Sequence, residues 1–111
     1  MTAIPEVIED LFRGQIVDGS DVARVLGTSA RSVNRWVHAG SLPRRESEER
    51  LLELKAVVDV LREVLRDEPA RLWIRTPNPT LDYEKPIELI ERGEYRRVIG
   101  AIRALGEGVT A

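Results

Sequence analysis

Three side chains that can read nucleic-acid bases stand close together in this sequence: Arg31, Asn34 and Arg35. An arginine can donate two hydrogen bonds to the edge of a guanine, and an asparagine can pair in the same bidentate way with an adenine. Their spacing of three and four residues places them on one face of a helix. The segment therefore predicts a helix that contacts base edges.

Groups suited to the phosphate backbone flank this helix. Ser29 and Ser32 lie at its start, where hydroxyls and the helix N-terminus can hold a phosphate. Arg44 and Arg45 follow it and are placed for further backbone contacts. The predicted DNA-binding residues are Ser29, Arg31, Ser32, Asn34, Arg35, Arg44 and Arg45.

The charge pattern supports this prediction. Residues 24–45 contain five arginines, His38 and no acidic residue, although the whole chain of 111 residues has a net charge of −2. That net charge argues against histone-like binding through bulk charge. Two plainer interpretations remain: Arg31 and Arg35 can be a solvated face, and His38 can simply favour a helix C-terminus.

The element that must position these side chains is a helix-turn-helix. Ala23 allows two helices to approach closely, and Gly27 permits the left-handed backbone that a tight turn needs. Val33 and Trp36 then point the second helix inward. The pattern predicts helices over 21–26 and 30–39, with Ser20 and Ser29 as their N-caps, and is typical of DNA-binding domains of the phage-repressor class.

The remaining periodicity is also helical, so the sequence predicts an all-α fold. We expect a short first helix ending near Gly14, a long helix over 48–66 capped by Ser47, and short helices over 67–74 and from Pro86 to Gly93. A loop over 76–85 and a last helix over 94–105 complete the chain. The predicted regions are a helix-turn-helix region (1–46), a connecting helix (47–66) and a C-terminal domain (67–111).

The long helix has an apolar arc nearly twice as wide as the stripe of about 100° that a surface helix needs. It must therefore bury against its own domain on one side and against something else on the other. Helix-turn-helix domains usually bind DNA as dimers. The sequence thus predicts a homodimer through this helix.

Composition argues against an enzyme. The chain has no cysteine and a single histidine, and it shows no phosphate-cradling glycine loop, so no cofactor or metal site is predicted. No apolar run approaches the roughly 20 residues of a membrane span. These features fit a cytoplasmic binding protein.

The C-terminal region resembles a known family. The resemblance rests on a run from Trp73 through Pro77-Asn78 to Leu81, then Pro86 with Leu89, Gly93 with Val98, and Gly106 with Gly108. It is similar to the toxin-binding domain of Xre/MbcA/ParS-type antitoxins, whose Xre-like part resembles the predicted helix-turn-helix. Together the two resemblances span nearly the whole chain.

The resemblance implies a type II antitoxin that holds a RES-domain toxin, an NAD-degrading protein, inactive by steric block and represses its own operon. It implies that the last helix and an extended tail over 106–111 enter the toxin's cleft. The toxin-binding residues implied are Trp73, Asn78, Arg103, Gly106, Glu107, Gly108, Val109, Thr110 and Ala111. A tryptophan such as Trp73 is more often a core residue than an interface residue, and Arg103 can be part of a solvated face.

Two further hypotheses remain open at this point. A free-standing transcriptional regulator would use the same recognition helix without a toxin partner. A protein-only interaction module would have lost its DNA function, which the acidic N-terminus and the negative net charge favour slightly.

Overall fold

The structure, a computed structural model, describes residues 3–108. That part of the chain is all-α, as predicted, and contains seven α-helices and two short 3-10 turns. The helices are α1 (Ile4–Phe12), α2 (Gly19–Leu26), α3 (Ala30–His38), α4 (Arg45–Val64), α5 (Asp67–Arg75), α6 (Pro86–Glu91) and α7 (Tyr95–Gly106). The 3-10 turns are Arg13–Gln15 and Pro79–Leu81.

Helix α2 begins earlier than predicted because a different residue caps it. Asp18, not Ser20, is the N-cap: its carboxylate accepts the backbone N–H of Asp21 at 2.9 Å. The Asp21 carboxylate accepts the backbone N–H of Asp18 at the same distance, which completes a reciprocal capping box. Ser20 therefore lies inside the helix.

Helix α4 also starts before its predicted cap. Ser47 lies within the first turn, and the N-cap position belongs to Arg44, whose side chain makes no capping bond. The acidic Glu46 and Glu48 of this turn favour the positive end of the helix dipole. The helix ends at Val64, after which the backbone of Leu65 is extended.

The segment over 76–85 is more ordered than the predicted loop. The 3-10 turn Pro79–Leu81 lies inside it, and an isolated antiparallel bridge pairs Asn78 with Glu84. Pro77 and Pro79 exclude a longer helix, but a proline is tolerated in the first turn of a short one.

The core is built around α4. Five of its apolar side chains are buried: Leu51, Leu54, Val57, Val58 and Leu61. Helix α7 packs along α4, and α1 and α2 contact it as well. Both sides of the wide apolar arc are therefore covered within the same chain.

This packing removes the argument by which the wide apolar arc of α4 predicted a homodimer surface. The second surface that the wide arc demanded is α7 of the same chain, so the arc no longer indicates a second copy. Of its large apolar residues, Leu52 alone remains substantially exposed, at 47%. The sequence could not reveal this, because the contact joins elements far apart in the chain.

The buried apolar residues form one cluster that includes side chains from all three predicted regions, from Ile4 to Ile102. The molecule is elongated, with principal extents of 45 × 23 × 23 Å. Within residues 3–108, no helix has the length and apolar character needed to cross a membrane.

Candidate functional site

The turn between α2 and α3 has the geometry that its glycine predicted. Gly27 adopts a left-handed conformation (φ 68°), and the N–H of Thr28 donates to the carbonyl of Ala23 at 2.9 Å. This satisfies a carbonyl at the end of α2 and turns the chain directly into α3. The two helices that the pattern predicted are therefore present and joined by a tight turn.

Helix α3 is capped and oriented as predicted. The Ser29 side chain accepts the backbone N–H of Ser32 at 3.1 Å, and Val33 and Trp36 are buried. The opposite face leaves Arg31, Asn34, Arg35 and His38 exposed to solvent. The three predicted base-reading residues thus share one accessible face, which is the arrangement that base contacts require.

The flanking polar groups lie next to this face. Arg44 and Arg45 are exposed, and Arg45 makes only a loose pair with Glu49 at 3.5 Å. An open groove runs between α3 and the start of α4, and Ser32, Arg35 and Arg44 line it. The groove therefore brings the predicted base-reading residue Arg35 next to two predicted phosphate-binding residues, and Glu46 and Glu91 also line it.

One arginine of the acid-free segment has a different role. Arg24 on α2 pairs with Glu91 at 3.1 Å and with Glu88 at 3.7 Å, both on α6. The acids that neutralise it come from the other end of the chain. The positive surface therefore rests on the arginines of α3 and of the α3–α4 connection.

The N-terminus of α2 is also tied to the C-terminal half. The Arg75 guanidinium of α5 pairs with the Asp21 carboxylate and donates to the carbonyl of Ile16 at 2.7 Å. Burial raises the pKa of Asp21, against the opposing effects of its bond from the Asp18 N–H and of Arg75. This contact fixes the start of the α2–α3 unit against α5.

Two of the residues assigned to toxin binding have structural roles in the fold. Trp73 is half-buried and packs against the core. The Asn78 side-chain oxygen accepts the N–H of Thr80 at 2.8 Å and so caps the second 3-10 turn. Direct contact of either residue with a toxin stays a prediction.

The start of the predicted tail, at Gly106, differs from the extended segment that the resemblance implied. Gly106 is the last residue of α7, and a Cβ placed on it would lie 3.0 Å from a Val64 methyl group of α4. The N–H of Glu107 still donates to the carbonyl of Arg103, so the helical hydrogen bonding continues past Gly106. Glycine serves here for close helix packing, and the predicted extended stretch cannot include this residue.

The other tail residues divide into two groups. Arg103, Glu107 and Gly108 are exposed and lie at the end of α7. Val109, Thr110 and Ala111 lie outside the described residues.

An ion-pair network surrounds the loop that precedes α6. Arg97 lies 3.0 Å from Glu94 and 3.2 Å from Asp82, and Arg92 lies 2.7 Å from Glu84. Hydrogen bonds from Arg97 and Arg92 lower the pKa of Glu94. The network links the loop to the start of α7.

Sequence reasoning missed Tyr83, which is 72% exposed and has a positive φ of 64°. A tyrosine rarely adopts this conformation. The sequence shows the pair Asp82-Tyr83 at this position, without the glycine that such a turn prefers. That pair alone does not predict a turn.

Within the described part of the chain, no group of three or more histidine or acidic side chains could hold a metal ion.

A family profile matches the C-terminal half. Residues 56–105 match the antitoxin Xre/MbcA/ParS C-terminal toxin-binding domain. The match begins inside α4 and ends in α7, so it includes the helix pair that forms the centre of the core.

Two curated relatives extend the similarity. The mycobacterial cidal antitoxin MbcA of Mycobacterium tuberculosis is 42% identical over 89 residues, which cover 80% of this chain and 79% of that protein. A probable mycobacterial cidal antitoxin of the same organism is 31% identical over 88 residues, covering 79% of this chain and 75% of that protein.

The fold agrees with these relatives. A chain of the crystal structure of the M. tuberculosis MbcT–MbcA toxin–antitoxin complex superposes with a TM-score of 0.87 and 33% identity, covering 100% of both chains. Sequence identity, the family profile and the fold all point to one family. The chain belongs to the Xre/MbcA/ParS family of antitoxins.

Proposed function

We propose that this chain is the antitoxin of a toxin–antitoxin pair and that it neutralises a protein toxin by binding it. The observation that carries the proposal is the full-length similarity to a chain from a toxin–antitoxin complex, with a TM-score of 0.87. The matched toxin-binding domain supplies the surface for this partner. Neutralisation is a steric block, which needs no chemistry from this chain.

The toxin in this proposal is a RES-domain protein that degrades NAD. The proposal rests on the family resemblance of the C-terminal half, from Trp73 to Gly108. The end of α7 and the tail beyond it would reach the toxin's active-site cleft, with Arg103 and Glu107 at its edge.

The second part of the proposal is that α3 binds the operator of the chain's own operon. Arg31, Asn34 and Arg35 would contact base edges, while Ser29, Ser32, Arg44 and Arg45 would hold phosphates. The exposed arginine-rich face of α3 supports this, since it comes from residues 24–45, a segment without acidic residues in a chain whose net charge is −2.

One α2–α3 unit presents a single recognition helix, so the proposal includes operator binding by two copies on half-sites about one DNA turn apart. The buried arc of α4 gives this dimer no support. Leu52 remains as the exposed apolar residue of that helix.

Co-purification tests the proposal. The tagged chain is expressed with the product of the adjacent gene, and the complex is isolated by size exclusion. We expect a stoichiometric partner that arrests growth when expressed alone and consumes NAD in vitro. A growth-arresting partner that leaves NAD intact would retain the antitoxin role and exclude the RES-domain assignment.

The alternative is a free-standing transcriptional regulator, which the accessible face of α3 also favours. The same experiment separates the two. A chain that captures no partner, yet shifts its own promoter DNA as a clean dimer, would establish the regulator and leave residues 67–111 as a dimerisation or effector region.

A further inference from the structure

The loop between α5 and α6 contains a tight turn whose backbone does not suit its residues. The N–H of Glu84 donates to the carbonyl of Leu81 at 3.0 Å, which closes a four-residue turn. Its two central residues, Asp82 and Tyr83, both have positive φ, at 56° and 64°. This is the φ pattern of a type I′ turn, which prefers glycine at the second central position.

Tyrosine at that position is unfavourable for folding. A side chain with a Cβ atom is strained in the left-handed region, and tyrosine lacks the short polar group with which asparagine or aspartate offsets the strain. No burial compensates, because Tyr83 is 72% exposed. The ring therefore contributes little to the core while it makes the turn harder to form.

The surrounding contacts hold this turn in place. The Asn78 carbonyl accepts the N–H groups of Leu81 and Tyr83 at 2.9 and 2.8 Å, and the Asn78 N–H donates to the Glu84 carbonyl at 3.1 Å. Leu81 anchors the turn by its burial in the core. Strain that persists under such support is a feature of binding and catalytic sites.

The rim of the turn is polar and ordered. The Arg97 guanidinium pairs with Asp82 on one side of Tyr83, and Arg92 pairs with Glu84 on the other. A rigid aromatic side chain surrounded by polar groups is typical of the residues that dominate protein–protein binding energies. The turn also lies within residues 56–105, the part that matches a toxin-binding domain.

We propose that the Tyr83 turn is a contact site for the toxin, separate from the tail, in which the exposed ring inserts into an apolar pocket of the toxin surface. The inference rests on the proposed antitoxin function. It gives the antitoxin a second point of contact with the toxin, in addition to the tail. The backbone of the turn is pre-formed, so its ordering adds little entropic cost on binding.

Two substitutions test the inference. Tyr83→Ala removes the ring and keeps a Cβ in the strained position, whereas Tyr83→Gly removes the ring and relieves the strain. We expect both variants to bind the co-purified toxin about tenfold or more weakly, as is typical when a central aromatic anchor is truncated. We expect the melting temperature of the free chain to be nearly unchanged for Tyr83→Ala and unchanged or higher by a few degrees for Tyr83→Gly.

The matched control is Leu42→Ala, which removes a side chain that is 78% exposed and lies outside the matched toxin-binding domain. Toxin affinity should be unchanged in this variant. Tyr83→Phe should retain most of the affinity, because the ring supplies the contact area.

Four results would overturn the inference. Full toxin affinity in both Tyr83→Ala and Tyr83→Gly would exclude the contact. A large loss of thermal stability in both would show that the ring serves the fold. Loss of self-association with toxin binding intact would assign the ring to a contact between copies. A wild-type chain that captures no toxin would contradict the proposed function itself, and the inference with it.

Discussion

At the scale of single residues, the arginines of α3 decide whether the chain reads a DNA sequence. Arg31 and Arg35 lie on the exposed face of the helix, beside Ser32, whose hydroxyl accepts a bond from Arg35 at 3.2 Å. That hydrogen bond is weak and its acceptor, a hydroxyl, is uncharged. DNA can therefore replace it without leaving a charged partner of Arg35 unpaired. The same geometry is therefore compatible with a solvated face and with a base-reading face, and only DNA binding distinguishes the two.

We expect Arg31→Ala and Arg35→Ala each to weaken specific operator binding by about 1–3 kcal/mol and to relax specificity at one base pair. Fluorescence anisotropy on operator DNA and on a scrambled duplex would measure both effects. Arg103→Ala is the matched control, since it removes an exposed arginine from α7 at the opposite end of the sequence. Operator affinity that survives in both α3 variants would leave these arginines as a solvated face.

Asp10 is the residue whose charge matters most clearly for stability. Its carboxylate lies 3.0 Å from the Lys55 ammonium and 3.1 Å from the half-buried Arg62 guanidinium, and so joins α1 to α4. The hydrogen bond from Lys55 and the positive charges nearby lower the pKa of Asp10, against a smaller opposing effect of burial.

A lowered pKa means that ionised Asp10 stabilises the fold above its unfolded pKa of about 3.9, and that this contribution disappears as the pH falls through the folded value. We expect Asp10→Asn to reduce the free energy of unfolding by about 1–2 kcal/mol at pH 7. Urea denaturation at several pH values would show that the difference in the free energy of unfolding between the wild type and Asp10→Asn decreases towards acid pH. Glu9→Gln, on the exposed side of α1, is the control; a deficit independent of pH would exclude the ionic explanation.

At the scale of elements, α7 is a core helix, and in our proposal its end also reaches the toxin. It packs against α4, and its last residue, Gly106, allows close approach to Val64. A deletion that begins at Gly106 would remove part of this contact together with the tail. Deletion of residues 108–111 is the sharper experiment, because it keeps all of α7 and the hydrogen bond from the Glu107 N–H to the Arg103 carbonyl.

We expect this shorter deletion to leave thermal unfolding and operator binding unchanged, since Gly108, the one deleted residue that the structure describes, is exposed. If the tail reaches the toxin's cleft, the truncated chain should no longer rescue cells that express the toxin. Growth rescue and circular dichroism would measure the two effects separately. Rescue by the truncated chain would place the neutralising contact elsewhere on the surface.

At the scale of the whole molecule, one core serves both halves. The buried cluster runs from α1 to α7, and the Arg24 and Arg75 ion pairs cross between the α2–α3 unit and the C-terminal helices. A molecule built in this way should unfold as one cooperative unit, without a separately stable helix pair.

The two tryptophans allow a direct test, because Trp36 lies on α3 and Trp73 on α5. In the single-tryptophan variants Trp36→Phe and Trp73→Phe, we expect the fluorescence midpoint in urea to coincide with the midpoint from circular dichroism. Leu61→Ala should shift both signals together, by about 2–5 kcal/mol in stability, whereas Leu52→Ala on the exposed side of α4 should change little. Separate midpoints for the two tryptophans would indicate two independent domains.

The sequence by itself determined the helices, the turn at Gly27 and the face of α3 that remains exposed. Each of these follows from local physical chemistry: helical periodicity, a glycine that permits positive φ, and a serine that caps the helix. It also carried the family resemblance of the C-terminal half. Its errors in local structure included the choice of caps, where Asp18 and Arg44 replaced Ser20 and Ser47, and the loop over 76–85, which contains a 3-10 turn.

The tertiary structure alone decided what covers each surface. The apolar arc of α4 faces α7, Arg24 is neutralised by α6, Gly106 is a packing residue, and Tyr83 is exposed on a strained turn. The first three of these facts depend on residues far apart in the chain, as in the pairs Arg24–Glu91 and Val64–Gly106. Periodicity shows that a helix face must be buried, but the identity of the partner depends on how all the helices pack together.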